Sequence, residues 1–288
     1  MTSIGGFVFL LLTVGGGYVI AGGKFGIILS SLPYEMLMIG GAATGAFVMS
    51  NSMHDVKHTL GGLGKILKGA RYHKSDYMDL LSLLYFLVRL AQTKGPMALE
   101  PHIEKPSESP AFQKFPRLAG DHHASNIICD YLRMVGMNSD DPHQIEDIMT
   151  RELKKIYNEE MHASHALQNV ADALPALGIV AAVLGVIKTM GSIDQPPAVL
   201  GQMIGGALVG TFLGVLLAYG MMGPMATRLK GVVDEEALYY EVIRAVVVAH
   251  LHGNAPQVSV ETGRKMAPNE HMPSFQELEE VLQNLKIA

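Results

Sequence analysis

The chain has 288 residues, of which 49% are hydrophobic and 17% charged, and its mean hydropathy is positive at +0.23. Soluble domains of this size carry about 25% charged residues, so the composition favours an integral membrane protein. The formal net charge of −5 provides no basic surface for nucleic acid, and we expect no nucleic-acid partner. The single cysteine, Cys129, excludes an intramolecular disulfide framework and is interpreted as a small core residue.

Four apolar segments are long enough to cross the hydrocarbon core of a membrane, which takes roughly 17–25 apolar residues. They are residues 4–21, 33–50, 173–190 and 199–222. The first basic residue, Lys24, follows the first segment, so this segment lacks the charged start of a cleavable signal. The sequence therefore predicts an integral membrane protein with four transmembrane helices, the first of them retained.

The distribution of basic residues predicts the orientation of these helices. All Lys and Arg residues except Lys24 and Lys188 lie in residues 51–172 and 225–288. The positive-inside rule places both segments, and both termini, in the cytoplasm, with the loops at 24–32 and 191–198 in the periplasm. The predicted parts are the first two transmembrane helices at 1–50, a cytoplasmic helical domain at 51–172, the third and fourth transmembrane helices at 173–222 and cytoplasmic C-terminal helices at 223–288.

The cytoplasmic parts are predicted to be helical, so the fold class is all-α. Pro142 suits a first helical turn, and the apolar spacing that follows predicts a helix from about residue 142 into the third span. The fourth span is expected to continue inward to about Leu251. Ser274 followed by Glu277 predicts a capping box at the start of a C-terminal helix. Four prolines between 101 and 116 predict a loop or a broken segment.

Enzyme and metal motifs are absent from the sequence. No complete phosphate loop, His-Glu-x-x-His motif or Gly-x-Ser-x-Gly elbow occurs. His54 and His58 lie four residues apart and His122 and His123 are adjacent, but solvated histidines are favoured over metal ligands in both pairs. We expect no catalytic residues, no metal and no cofactor.

Small, weakly polar residues form one stripe on each of the last two spans. Their spacing of i, i+4, i+7 and i+11 places each stripe on one helical face: Gly178, Ala182, Gly185 and Thr189, then Ala207, Thr211, Gly214 and Ala218. One interpretation is close helix packing. The other is a pore wall that receives a partner helix, with Thr211 as a hydroxyl ligand near mid-membrane.

No predicted span has a carboxylate near its centre. An ion path through hydrocarbon generally uses a buried ionisable group, so a second protein is expected to supply the acid. Glu35 and Asp172 are placed at opposite membrane edges, where each could act in the ion path or as an interfacial anchor.

Several runs resemble the flagellar stator MotA/PomA family, and most closely its proton-driven MotA members. They are ADALPALGIVAAVLGVI at 171–187, VGTFLGVLLAYG at 209–220 with Pro224, MDLLSLLY at 78–85, VETGR at 260–264 and PSFQELE at 273–279. The resemblance extends over nearly the whole chain in order. It implies a non-enzymatic stator subunit of the bacterial inner membrane, with five such chains around two helices of a MotB-type single-span protein. The aspartate of that partner would accept the ion, and torque would pass to the rotor protein FliG.

The resemblance also assigns roles to individual residues. Pro175 and Pro224 match two prolines that couple ion flow to conformational change, and Thr211 matches a pore-facing threonine. Ala182 stands where sodium-driven relatives have a further threonine, so a proton is favoured over sodium as the transported ion.

The rotor-facing charged pair is matched only in part. Glu100 matches the acidic member, but the basic member falls on Gln92, so that correspondence fails. Arg89 and Lys94 are the alternative basic candidates.

Two other functions remain open at this point. An ExbB/TolQ-like energiser of outer-membrane processes would share the pore helices, although the two N-terminal spans and the run at 273–279 argue against it. A non-transporting membrane scaffold would explain the glycine-rich packing alone.

Overall fold

The computed structural model describes residues 2–137 and 141–285, and this part of the chain contains no β-strand. The chain divides into two compact units. The first unit comprises Met1–Gly69 and Glu160–Val232, and the second comprises Ala70–Glu159 and Val233–Ala288. The predicted all-α class is confirmed for the described residues.

The N-terminal part of the chain forms a series of four helices. They are α1 (Thr2–Ile20), α2 (Phe25–Glu35), α3 (Gly41–Ser50) and α4 (Met53–Lys68). A π-helical turn, Met36–Gly40, joins α2 to α3, so the helical stretch is unbroken from Phe25 to Ser50.

The middle of the chain has one long helix followed by short ones. These are α5 (Lys74–Lys94), α6 (Glu100–Ile103), α7 (Pro110–Gln113), α8 (Pro116–Ala119) and α9 (His122–Gly136). Prolines occupy the first turns of α6, α7 and α8. A proline cannot donate the backbone hydrogen bond that a helix interior requires, so no long helix can continue through these positions. The predicted broken segment at 101–116 is confirmed.

The remainder of the chain consists mostly of long helices. They are α10 (Pro142–Met190), α11 (Pro197–Leu217), α12 (Gly223–Leu251), α13 (Pro256–Arg264) and α14 (Phe275–Gln283), and the π-helical turn Ala218–Met222 joins α11 to α12. The predicted helix from residue 142 into the third span is therefore confirmed, as is the continuation of the fourth span to Leu251. Ser274 and Glu277 form the predicted capping box, in which each side chain binds the backbone N–H of the other residue.

Apolar helices long enough to span a membrane occur at Phe25–Ser50, within Pro142–Met190 and within Pro197–Leu251, and a shorter apolar helix covers Ile4–Ile20. The predicted start of the second span at residue 33 was wrong, and residues 25–32 are helical rather than a loop. Pro33 lies inside the helix. The missing N–H of Pro33 leaves the carbonyl of Leu29 without its helical partner, and apolar helices tolerate such a proline when neighbouring groups satisfy the freed carbonyl. The π-helical turn Met36–Gly40 begins three residues after it.

The two units have separate cores. In the second unit, α5 is buried around most of its circumference and forms, with α9, α12 and α13, a continuous aliphatic and aromatic cluster that includes Leu84, Ile128, Tyr239 and Val260. Cys129 belongs to this core, as expected, and burial raises the pKa of its thiol to about 12. In the first unit, a smaller cluster gathers Ile39, Leu174, Ala181 and Leu213.

Candidate ion pathway and rotor-facing surface

The glycines of the two stripes bring α10 and α11 into backbone contact. A Cβ atom on Gly178 would lie 2.8 Å from the carbonyl oxygen of Gly210, and one on Gly214 would lie 2.7 Å from that of Leu174. A Cβ on Gly185 would lie 2.6 Å from the Cβ of Ala207. Real Cβ contacts are longer than this, so only glycine fits at these positions. The close-packing interpretation is therefore correct for the glycines.

Ala182 and Thr211 are partly exposed, as is Gly185, whereas the other members of the two stripes are buried. The hydroxyls of Thr44 and Thr189 donate to carbonyl oxygens one turn back, at 2.7 and 2.9 Å. Within residues 2–137 and 141–285, no such bond is formed by the Thr211 hydroxyl. Thr211 thus retains a hydrogen-bonding group that a partner or an ion can use.

A carboxyl group lies beside this helix pair, which sequence reasoning missed. Glu35 is only 4% exposed, and a Cβ on Gly210 would lie 2.5 Å from its Oε2. This Oε2 atom has no hydrogen-bond partner among the described residues. Glu35 was predicted to lie at a membrane edge because the span was taken to begin at residue 33, whereas the helix begins at Phe25. The prediction that no span has a carboxylate near its centre depended on the same start, and Glu35 lies within the 26-residue apolar helix Phe25–Ser50.

The signal that identifies Glu35 was present in the sequence. An acidic residue within an apolar helix is a functional candidate by default, and the run Gly206-x-x-x-Gly210-x-x-x-Gly214 marks a helix face that a neighbour can approach closely. Ser31, one turn before Glu35, faces the same glycine row, since its Oγ would lie 2.8 Å from a Cβ on Gly206. Asp172, by contrast, is exposed and accepts a hydrogen bond from the Gln168 amide at 2.8 Å.

A cavity of about 510 Å³ lies between α2, α10 and α11 in the first unit, and Glu35 forms part of its wall. Ser31, Lys188, Thr189 and Gln202 also line it. These side chains carry hydroxyl, ammonium and amide groups, so the cavity offers hydrogen-bonding partners in an otherwise apolar helix bundle. It connects the end of α10, where Lys188 lies, with the Glu35 carboxyl.

Neither of the two prolines ends its helix. Pro175 lies in the interior of α10 and is half-buried. It removes the hydrogen bond that the carbonyl of Ala171 would otherwise accept. Pro224 is the second residue of α12, directly after the π-helical turn Ala218–Met222, and is exposed. Both prolines therefore weaken backbone hydrogen bonding within continuous helices.

The candidate rotor-contact residues all lie in the second unit and are exposed. Arg89 and Lys94 belong to α5, and Glu100 begins α6. Among the described residues, none of these three side chains forms an ion pair, whereas Glu104 nearby is paired with Arg133 at 3.0 Å. Their charges are therefore available to a partner. Gln92 is exposed as well.

Comparisons with known proteins agree with this architecture. Residues 4–95 match the family model for the N-terminal part of motility protein A, and residues 120–242 match that of the MotA/TolQ/ExbB proton channel family. The chain is 40% identical to Motility protein A of Salmonella typhimurium over 275 residues, which are 96% of this chain and 92% of the relative. It is also 40% identical to Motility protein A of Escherichia coli over 281 residues, 98% of this chain and 95% of the relative.

Solved structures share the fold. The chain superimposes on one from the structure of C. jejuni MotAB with a TM-score of 0.75 and 18% identity, covering 95% of this chain and 99% of the other. For the flagellar MotAB stator complex of Bacillus subtilis the TM-score is 0.69 and the identity 22%, covering 96% and 98%. With identity to two curated relatives at 40% over nearly its full length, the chain belongs to the motility protein A (MotA) family.

Proposed function

We propose that this protein is the ion-conducting stator subunit of a bacterial flagellar motor, which couples proton flow to torque on the rotor. The observation that supports it most directly is the arrangement of the two stripes: the buried Gly178 and Gly214 close the interface of α10 and α11, while Ala182 and Thr211 remain partly exposed beside it. A wall of this kind suits contact with a partner helix. Family membership and the similar fold of MotAB chains support the same function.

In the proposed assembly, five copies of the chain surround two helices of a MotB-type single-span protein and act on the rotor protein FliG. Each copy has four transmembrane helices in the bacterial inner membrane, with both termini in the cytoplasm. The apolar helices and the concentration of basic residues outside them support this topology. The titles of the two similar structures, which name MotAB, support a MotB-type partner.

The proposed route of the proton passes through the cavity at the end of α10. Ser31 and Gln202 provide hydrogen-bonding groups, and Glu35 provides a carboxyl group at the level of Gly210. An ionised carboxylate without a partner is costly in an apolar interior, so a proton or cation stabilises Glu35 there. The partner's aspartate would then accept the proton beside Thr211. The chain thus supplies an acid of its own in addition to that of the partner.

Coupling to movement follows from the change in charge. Protonation of the partner's aspartate removes a costly buried charge and changes which contact with the wall is favoured. Repetition of this step around a ring of identical subunits gives stepwise rotation. Pro175 and Pro224 weaken the helices at the points where motion of the wall would pass to the second unit, and the exposed charges of Glu100, Arg89 and Lys94 are proposed to meet the rotor.

A proton is proposed over sodium because the wall has few oxygen ligands. A dehydrated sodium ion needs several oxygens, whereas a proton needs one acceptor and a hydrogen-bonded approach. Thr211 supplies one hydroxyl per subunit and Ala182 supplies none. Backbone carbonyls in a helix are occupied by the hydrogen bonds of the helix itself.

The test compares two threonine substitutions that remove a hydroxyl and keep the shape. Thr211→Val should lower proton influx into cells that express the chain with a MotB-type partner, without lowering the amount of assembled complex. Thr44→Val is the matched control, since its hydroxyl is occupied by the Gly40 carbonyl. Equal influx in both variants would assign Thr211 to packing alone, and no influx even in the unmodified complex would favour a membrane scaffold.

The match of residues 4–95 to the N-terminal model of motility protein A favours a stator over an ExbB/TolQ-like energiser. Restored swimming in a strain without its own stator would distinguish the two, because an energiser of outer-membrane processes would not restore it.

A further inference from the structure

Three metal-ligating side chains from separate segments meet at one point of the second unit. His143 lies in the first turn of α10, Glu146 follows one turn later, and His252 comes directly after the end of α12. One potential ligand atom from each residue lies within 4.8 Å of the other two. Sequence spacing alone could not show this, because more than 100 residues separate Glu146 from His252.

Both imidazoles are directed at the same carboxylate oxygen. Glu146 Oε2 is 4.0 Å from His143 Nδ1 and 3.7 Å from His252 Nε2. The two rings are 5.2 Å apart and inclined at 60°. Ligand atoms around a tetrahedral zinc ion are about 3.4 Å apart, given bond lengths of roughly 2.1 Å. Changes in the side-chain torsions of these residues, two of which are exposed, would bring the ligand atoms to that separation from their present distances of up to 4.8 Å.

The second oxygen of Glu146 is held by a neighbouring side chain. Arg244 Nη1 lies 3.6 Å from Glu146 Oε1, and Arg244 Nε donates to Glu241 at 2.8 Å. Carboxylate ligands of metal ions are commonly oriented by such outer contacts. Glu241 balances the charge of Arg244, so the positive charge beside the site is largely neutralised. The contact leaves Oε2 as the oxygen that faces the two imidazoles.

We propose that His143, Glu146 and His252 form a binding site for a divalent transition-metal ion such as Zn²⁺. Two imidazoles and one carboxylate are a ligand set that zinc uses with a water molecule in the fourth position. The ion would join the beginning of α10 to the end of α12 and stabilise the second unit. The site is independent of the ion pathway and of the proposed stator function.

The test uses the full chain purified in detergent, with Zn²⁺ affinity measured by titration and Co²⁺ bound as a spectroscopic probe. We expect one site whose Co²⁺ absorption has the intensity of four- or five-coordination. His143→Ala, His252→Ala and Glu146→Gln should each weaken Zn²⁺ binding by about tenfold or more, since loss of an outer contact alone costs 10–100-fold. Zn²⁺ should also raise the melting temperature of the unmodified chain and not that of His252→Ala.

His54→Ala is the control, because His54 stacks on His58 in a second exposed pair. A site lost in this control and kept in His143→Ala would overturn the proposal, as would equal Zn²⁺ affinity in all variants. His252→Cys offers a positive test that does not depend on loss of binding. This variant should still bind Co²⁺ at the site, and it should show a thiolate-to-cobalt absorption band, which the buried Cys129 cannot supply. Absence of that band would contradict the assignment of His252.

Discussion

The interface of α10 and α11 and the core around α5 are packed in opposite ways. At the first, glycines bring two backbones together, and large apolar side chains such as Ile204, Leu208 and Phe212 remain exposed on α11. At the second, leucines and tyrosines interlock and are almost completely buried, Leu80 and Leu84 at 0% exposure. The second unit therefore buries its own apolar surface, whereas the first depends on lipid and partner helices to cover its surface.

The largest expected effect lies in the core around α5. Leu84→Ala should lower the free energy of unfolding by about 2–5 kcal/mol, because the surrounding helices cannot fully close the cavity that it leaves. Thermal and denaturant unfolding of the purified chain, followed by circular dichroism, would measure the change. Val258→Ala on α13 is the control, since Val258 is 52% exposed. Equal losses in both variants would contradict the account of this core.

The interface of α10 and α11 should be destabilised by a larger side chain at a glycine position. Gly214→Ala places a methyl group against the Leu174 carbonyl, and such overpacking costs about 1–3 kcal/mol. We expect less assembled protein in the membrane and reduced motility. Gly201→Ala on the same helix has no atom within 4 Å of the new Cβ and should be tolerated. Equal amounts of assembled protein and equal motility in Gly214→Ala and Gly201→Ala would contradict the close packing of α10 against α11.

A third change tests the acid that lies within the first unit. Glu35→Gln keeps the shape of the side chain and removes its ability to release a proton, so proton influx should fall about tenfold or more, as for loss of a proton-transferring group. The amount of assembled complex should stay near normal. Asp172→Asn is the matched control, because Asp172 is exposed and bound to Gln168. Influx that survives in Glu35→Gln would remove this residue from the route.

Features that depend on local spacing could be predicted from the sequence, and features that depend on tertiary packing could not. Pro142, the capping box at Ser274 and the facing stripes were predicted correctly, because each depends on local spacing. Glu35 was placed at a membrane edge because Pro33 was taken as the start of the span, whereas Pro33 lies inside a continuous helix. The approach of His252 to Glu146 depends on how α10 and α12 pack, which no local pattern encodes.

The smallest expected effect is a pH response of the C-terminal helix. The Lys74 ammonium, together with the backbone and hydroxyl of Ser274, lowers the pKa of the Glu277 carboxyl from 4.5 to about 2. A carboxylate with a lowered pKa in the folded state stabilises that state above its unfolded pKa, and the contribution is lost as pH falls. The protection of the α14 amides, taken relative to the intrinsic exchange rate at each pH, should therefore fall between pH 4.5 and about 2. Glu277→Gln should abolish this response, and Glu280→Gln, which changes another exposed carboxylate of the same helix, should retain it.

The central claim is that this chain forms a proton-driven stator, and motor rotation tests it most directly. The chain and a MotB-type partner would be expressed in cells that lack their own stators, and the speed of single tethered motors would be recorded while sodium is replaced by potassium at constant pH and membrane potential. The account predicts that rotation is restored, that its speed is unchanged by the replacement, and that it falls as the proton-motive force is reduced. A speed that falls toward zero as sodium is withdrawn would contradict proton coupling, and motors that never rotate would contradict the stator function itself.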